Sequence, residues 1–328
     1  MTAIHIQGLG TYVPTKRITN VDLMSLVDTN DEWIVSRTGI KARHMLADDE
    51  NGSDAGTEAA LKALEDAGIA AEDITHVLTA TCTPDYLCPS TACIISGKIG
   101  SHGAMAFDLN AACTGFVYGL DVANSILAGK PGAKVLLVGS EAFTRRLNWE
   151  DRTTCILFGD GAAAAVLTNG DAGTPKRGLR DVLCGADGRQ YPLLTVGGGT
   201  NRNYKPGDPV QDDFYLQMQG REVFKQAVRS LSAVCSELLE DNGLTLEDID
   251  LFIPHQANLR IIEAVGDRLK LGSEKIFVNL DEYGNTSAAS IPLGIGDACA
   301  QGRIRPGSRV LLSAFGGGFT WGAALLEF

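Results

Sequence analysis

Three short segments, far apart in the chain, set a cysteine, a histidine and an asparagine among small residues. They are Asn110-Ala-Ala-Cys113-Thr-Gly-Phe, Pro254-His255-Gln-Ala-Asn258 and Tyr283-Gly-Asn285-Thr-Ser-Ala-Ala-Ser290. An ordinary thiol, with a pKa of about 8.5, is mostly protonated at neutral pH and needs help to act as a nucleophile. A neighbouring imidazole and a helix N-terminus both favour the thiolate, and an amide can donate a hydrogen bond where a carboxylate can only accept. If the three converge in space, the chemistry they suit is covalent acyl transfer. The other histidines, His5, His44, His76 and His102, lack such a setting and read as structural.

The elements needed to bring these segments together are visible as a repeat. Leu64-Glu-Asp-Ala-Gly-Ile-Ala-Ala-Glu-Asp-Ile-Thr-His-Val-Leu78 resembles Leu239-Glu-Asp-Asn-Gly-Leu-Thr-Leu-Glu-Asp-Ile-Asp-Leu-Phe-Ile253, and Pro131-Gly-Ala-Lys-Val-Leu-Leu137 resembles Pro306-Gly-Ser-Arg-Val-Leu-Leu312. Both pairs are offset by 175 residues (239 − 64 and 306 − 131). The chain therefore reads as two tandem halves, 1–172 and 173–328, joined near Thr168–Lys176, a stretch of turn-forming residues. In each half a helix ends at a glycine (Gly68, Gly243), a strand follows (Val77–Thr81, Leu251–Pro254), and a small-residue helix leads through a Pro-Gly turn to another strand. Alternating strands and helices predict α/β architecture, with parallel-type sheets covered by helices and two such halves stacked in layers. Asp187–Gln219, rich in Gly, Pro, Asn and Tyr, reads as a long loop that gates the site. Because 285 − 175 is 110, Asn285 and the Asn110 that opens the cysteine segment fall on equivalent loops, one from each half. The nucleophile and the amide would then meet where the halves join, a usual place for a pocket.

Composition narrows the function classes. The chain has 328 residues, 45% hydrophobic and 21% charged, as in an ordinary globular protein. A net charge of −12 argues against general nucleic-acid binding. No apolar run approaches the ~20 residues of a membrane span, and Met1-Thr-Ala-Ile-His-Ile-Gln-Gly reads as a strand, so a cytoplasmic enzyme is expected. The eight cysteines (Cys82, Cys88, Cys93, Cys113, Cys155, Cys184, Cys235 and Cys299) lack zinc-site spacing and read as free thiols, and neither a metal nor an organic cofactor is expected.

Taken together and in order, these segments resemble β-ketoacyl-acyl-carrier-protein synthase III, the initiating condensing enzyme of type II fatty acid synthesis in the thiolase-like superfamily. The resemblance also covers Gly8–Pro14, Trp33–Gly39, Asp108–Gly115, Phe158–Gly161, Gly284–Pro292 and Phe315–Gly322. It implies a five-layered αβαβα fold and a decarboxylative condensation of an acyl-coenzyme A primer with malonyl-carrier protein. Elongating relatives use two histidines and thiolases a second cysteine, so the Cys113, His255 and Asn285 set fits the initiating synthases and the plant-type polyketide synthases, and the short length and the Trp33/Arg37 segment favour the former.

By this resemblance Cys113 carries the acyl group, and the backbone N–H groups of Cys113 and Gly317 hold the first oxyanion, a triple-glycine run letting the main chain approach substrate. His255 and Asn285 donate hydrogen bonds to the thioester oxygen during decarboxylation. Trp33, Arg37, Thr38, Arg152, Gly220, Phe224, Ala257 and Asn258 match positions that bind coenzyme A, which is substrate and not cofactor. Lys225, Gln256 and Arg260 match positions that dock the acidic acyl carrier protein, while Asp267 stands where relatives often carry a basic residue. Cys88 and Phe315 match acyl-pocket positions, Cys88 on a loop that reaches across a homodimer. Relatives specific for acetyl primers often have a bulky aromatic at that place, so Cys88 implies room for a longer or branched primer, at about 0.8 kcal/mol per buried methylene. Three rivals are open: a thiolase-fold ketoacyl synthase of secondary metabolism, a non-catalytic partner of condensing enzymes, and a Cys-His-Asn protease.

Overall fold

The computed structural model describes residues 4–170, 178–199 and 208–328. The expected join near Thr168–Lys176, with its boundary between 172 and 173, falls largely outside them. β1 (Ile4–Tyr12) opens the fold, and a hairpin of β2 (Lys16–Thr19) and β3 (Ala42–Met45) brackets α1 (Asn20–Leu23) and α2 (Asp31–Thr38). The Asn30 side chain caps α2 at Trp33 N–H, and Asp31 and Glu32 sit in its first turn, where the helix dipole favours negative charge. This short, well-capped helix fixes Trp33 and Arg37 on one rim of the molecule.

Next come α3 (Gly52–Ala67), β4 (His76–Ala80), α4 (Thr91–Ile99), β5 (Met105–Leu109), α5 (Gly115–Gly129), β6 (Lys134–Glu141) and β7 (Gly161–Asn169). Then follow β8 (Gly178–Ala186), β9 (Leu194–Val196), β10 (Leu216–Met218), α6 (Gly220–Asp241), β11 (Leu251–Pro254) and α7 (Leu259–Leu269). The chain closes with α8 (Leu280–Tyr283), α9 (Ser290–Ala300), β12 (Arg309–Gly316) and β13 (Thr320–Glu327).

Strand order across the main sheet is β5-β4-β6-β7-β1 and then β8-β13-β12-β11. The expectation of parallel-type sheets holds only for the outer strands: β4 runs parallel to β5 and β6, and β11 to β12. The strands that return toward the middle, β7 with β1 and β13 with β8, are antiparallel. His76 pairs with Val135 and Leu251 with Val310, and both partners shift by 175 residues. Among the described residues, the two sides of the sheet pair only at Ile4–Leu179 and His5–Gly178.

Three buried clusters make this a five-layered αβαβα fold. α5 and α9 lie in the middle, and Phe116, Leu120 and Ile295 pack with Leu137 and Leu167 from one side and Leu312 and Leu326 from the other. α3 and α4 cover the outer face of the first group of strands through Ala59, Ala63 and Ile95. α6 and α7 cover the second through Leu231, Leu238 and Val265. Among the described residues no helix is long and apolar enough to cross a membrane, and all eight cysteines are free thiols.

The Asp187–Gln219 stretch is not a structureless loop. β9 and β10 pair antiparallel within it, with Leu194, Val196, Leu216 and Met218 packed into buried clusters; residues 200–207 lie outside the described residues. The central helices also come very close to the sheet. A Cβ at Gly139 would stand 2.8 Å from Ala288 O, on the loop that carries Asn285. We expect Gly139→Ala to destabilise the fold by about 1–3 kcal/mol in denaturant melts. Gly129→Ala, where an added Cβ meets nothing within 4 Å, is the control and should leave stability unchanged or slightly raised.

Candidate active site

Cys113 sits between β5 and α5. After Leu109 the chain turns at Ala112, whose φ of 48° is in the left-handed region, and a short 3-10 turn over Ala112–Thr114 leads into α5. Thr320 of β13 pins this elbow by donating to Ala111 O at 2.9 Å and lies 3.0 Å from Thr114 Oγ1. Gly316 closes over it so tightly that a Cβ there would be 2.7 Å from the Cys113 amide nitrogen. Cys113 is 8% exposed. Burial pushes its thiol up to about 12; the Glu141 carboxylate adds to this, while the Ser287 hydroxyl and the chain's own backbone oppose it.

Asn285 lies on a second elbow of the same design. Ser287, at 112 + 175, has φ 49°, and a 3-10 turn over Ser287–Ala289 leads into α9. Ala112 N–H donates to Asn110 Oδ1 at 3.4 Å and Ser287 N–H to Asn285 Oδ1 at 2.9 Å. With its oxygen engaged, Asn285 presents its NH2 group to the site. Its backbone is fixed by Leu157 O at 2.8 Å and Gly159 N–H at 3.1 Å.

His255 ends β11, its N–H donating to Ser313 O at 2.7 Å. Nδ1 lies 2.6 Å from Ser290 Oγ in the first turn of α9, which leaves Nε2 toward the site. Burial pushes its pKa down to about 3, so at neutral pH the ring is an uncharged imidazole.

A pocket of about 440 Å³ runs between the exposed rim and these three buried residues, and Cys113, His255, Asn285 and Gly317 all line it. At the rim two guanidiniums approach the Trp33 ring, Arg37 at 5.6 Å and Arg152 at 5.2 Å from its centre. Thr38, Gly220, Phe224, Ala257 and Asn258 also line the pocket. Thr38 Oγ1 is occupied by Ile34 O at 2.7 Å and Ile40 N–H at 3.0 Å. Asn258 caps α7 at Arg260 N–H and donates to Arg37 O, tying α7 to α2.

The remaining site candidates separate. Phe315 lines the pocket. Lys225, paired with Glu222 at 2.8 Å, and Arg260 are exposed on α6 and α7. Gln256 corrects the docking set. It is 1% exposed, donates to Pro254 O and Phe277 O, and accepts from Asn279 N–H, so it braces the His255 loop and has no surface to offer a partner. Cys88 is exposed and does not line its own chain's pocket. The sequence reading missed most of the apolar wall, Phe143, Leu157, Leu194, Val196, Leu216 and Met218, and also Cys82, which lines the same pocket as Cys113. β9 and β10 supply four of these, and short alternation was the available signal.

Comparisons with known proteins show which family the chain is similar to. The family model 3-oxoacyl-[acyl-carrier-protein (ACP)] synthase III matches residues 107–188, and its C-terminal companion matches 239–328. The chain is 60% identical to a β-ketoacyl-[acyl-carrier-protein] synthase III of Nitratidesulfovibrio vulgaris, over 99% of this chain and 98% of that one. It is similar to the solved structure of the Thermus thermophilus β-ketoacyl synthase III, at 45% identity and a TM-score of 0.91, covering 99% of both chains. The Aquifex aeolicus 3-oxoacyl synthase III structure gives 42% identity and a TM-score of 0.90, over 99% of this chain and 100% of that one.

The depressed basicity of His255 has a consequence for stability. At neutral pH neither the folded nor the unfolded chain protonates it. Below the ordinary value of 6.5 the unfolded state takes up a proton that the folded state refuses down to about 3. Stability therefore falls with pH across that window, by up to about 1.4 kcal/mol per unit from this group. Thermal melts of His255→Gln should show a shallower loss between those limits than the unsubstituted protein.

Proposed function

The chain belongs to the 3-oxoacyl-[acyl-carrier-protein] synthase III family, and from that membership we propose how its residues divide the reaction. The enzyme is an acyltransferase that condenses an acyl-coenzyme A primer with malonyl-acyl carrier protein and so initiates fatty acid synthesis. The observation that carries the residue assignment is one pocket, entered beside Trp33, that ends on Cys113, His255 and Asn285.

Cys113 attacks the primer thioester and keeps the acyl group. The N-terminus of α5 favours the thiolate, and the N–H groups of Cys113 and Gly317 receive the oxyanion. The close packing of Gly316 on the Cys113 amide supports that pairing. Malonyl-carrier protein then enters and loses carbon dioxide, and charge develops on its thioester oxygen. His255 and Asn285 donate to that oxygen. Ser290 Oγ lies 2.6 Å from Nδ1; in this role its hydroxyl donates to Nδ1, so that the ring proton sits on Nε2 where it is needed. No metal or organic cofactor takes part.

Trp33, Arg37 and Arg152 hold the nucleotide end of coenzyme A by stacking and charge, while Thr38, Gly220, Phe224, Ala257 and Asn258 border the pantetheine path. Lys225 and Arg260, exposed on the α6 and α7 surface, receive the acidic carrier protein, a local patch on a chain of net charge −12. The halves 1–172 and 173–328 act as two units that contribute one elbow each, a reading supported by the matched strand registers. The chain works as a homodimer. Tyr86 at 61% and Leu87 at 80% exposure, beside Cys88, suit a segment that closes a second copy's acyl pocket. The thiol in place of an aromatic leaves space for primers longer or more branched than acetyl.

Intact-mass analysis after incubation with an acyl-coenzyme A series tests this. We expect one acyl adduct on the unsubstituted protein, absent from Cys113→Ala, and loading that extends past acetyl to longer or branched primers. Adducts on the variant would remove Cys113 from its role, and loading confined to acetyl would remove the proposal for Cys88.

A further inference from the structure

Arg43, in β3, is fully buried. Its guanidinium spreads over two neutral acceptors: Nη1–H donates to Asn20 Oδ1 at 2.8 Å and Nη2–H to Ile156 O at 2.7 Å. Burial lowers its pKa to about 10, so at neutral pH it is still a cation. A buried charge held by neutral groups is costly, and this one does not itself line the pocket. What it holds together is the pocket's wall.

One arm reaches the segment that fixes Asn285. Ile156 O is followed by Leu157 O, which accepts from Asn285 N–H at 2.8 Å, and Gly159 N–H donates back to Asn285 O at 3.1 Å. Phe158 and Asn285 thereby form a parallel bridge. His44, next to Arg43 in β3, holds the same segment by accepting from Asp160 N–H at 2.8 Å. The stem of Arg43 packs against both sides of the bridge. A Cβ at Gly159 would stand 3.0 Å from Arg43 Cβ and run into Tyr283 O; one at Gly284 would stand 3.4 Å from Arg43 Cβ and 2.9 Å from Leu157 O. Three backbone segments therefore meet at Arg43 with no room for a further side chain.

The other arm reaches the rim. Asn20, itself buried, accepts from Arg43 and donates through Nδ2 to Asp31 Oδ1 at 2.8 Å and to Ile40 O at 2.7 Å. Asp31 stands in the first turn of α2, the helix that carries Trp33 and Arg37. Hydrogen bonds thus run from the entry helix through Asn20 and Arg43 to Ile156, and Ile156, Leu157 and Phe158 line the pocket between the rim and Asn285.

We propose that Arg43 is a positioning residue for Asn285: it fixes the 156–159 segment to which the Asn285 backbone is bonded, and through Asn20 it keeps that amide in register with the entry helix. The Cys113 elbow has supports of its own in Thr320 and Gly316, so Arg43 bears on the decarboxylation of the malonyl group and not on acylation. A lysine in its place keeps the charge but brings one nitrogen where the guanidinium brings a fork that serves two acceptors. This rests on the reading of Asn285 as a hydrogen-bond donor to the malonyl thioester oxygen.

Two rates decide it, measured in Arg43→Lys and Arg43→Met: carbon dioxide release from malonyl-carrier protein without primer, and Cys113 acylation by saturating acetyl-coenzyme A. Misplacing a reacting group by about 1 Å can cost on the order of 10²-fold, so kcat for release should fall on the order of 10- to 10²-fold in both variants. KM for malonyl-carrier protein and the acylation rate should stay as in the unsubstituted enzyme. In an Asn285→Ala background the Arg43 substitutions should cost release nothing further, because they act through that amide. Unchanged release, an equal loss in release and acylation, or a further loss on top of Asn285→Ala would each overturn the proposal and leave Arg43 a core residue only. Should Arg43→Met fail to fold, Arg43→Lys decides alone by the same criteria. If Asn285→Ala itself releases carbon dioxide at the unsubstituted rate, the reading of Asn285 falls and the positioning role with it. If that variant is slowed and the Arg43 variants are not, only the positioning role falls.

Discussion

Taking a thiol out of water removes most of its tendency to ionise, and the rest of this structure answers to that constraint. Cys113 is buried, and burial, reinforced by the Glu141 carboxylate, pushes its pKa up to about 12. The compensations are all geometric. An elbow in the left-handed region aims the cysteine at the pocket, a helix begins directly after it, and a glycine turn from the far side lays backbone against its amide. Each depends on strands and helices from both ends of the chain being in register. The site therefore exists only when the whole five-layered body is folded.

The second elbow explains why a duplicated architecture suits this chemistry. The same turn, 175 residues later, aims an amide in place of a thiol, and its serine in place of an alanine reaches the first half's buried carboxylate. One backbone solution thus presents Cys113, the proposed nucleophile, on one elbow and Asn285, the proposed hydrogen-bond donor, on the other. His255 completes the set as a neutral ring, because burial without a carboxylate partner keeps it uncharged. A charged imidazole would stabilise an oxyanion more strongly, but a neutral ring held in place at Nδ1 by Ser290 has little reorganisation to make.

Much of this was legible before any coordinates. The repeat offset and the pairing of Asn285 with Asn110 follow from residue identity and spacing, whereas the convergence of the three distant segments was a condition there, and the role of Asn285 came mainly from the family resemblance. The failures have physical causes too. Gln256 sits one residue from His255 and looks like a polar surface group, yet all its hydrogen bonds go to backbone inside the fold. β9 and β10 are three residues each, too short for alternation to stand out from a Gly- and Pro-rich stretch, although they wall the pocket. Antiparallel β7 and β13 read as continuous apolar runs because both faces are covered. Glu141 gave no signal beyond a charge at the end of an apolar strand.

The division of labour between the two elbows is tested most directly by carbon dioxide release from malonyl-carrier protein in the absence of primer. Decarboxylation should persist in Cys113→Ala and fall on the order of 10²-fold in His255→Ala and in Asn285→Asp. If release stops with the cysteine, or continues unchanged without the histidine and the amide, the thioester oxygen is stabilised elsewhere and this arrangement of roles is wrong.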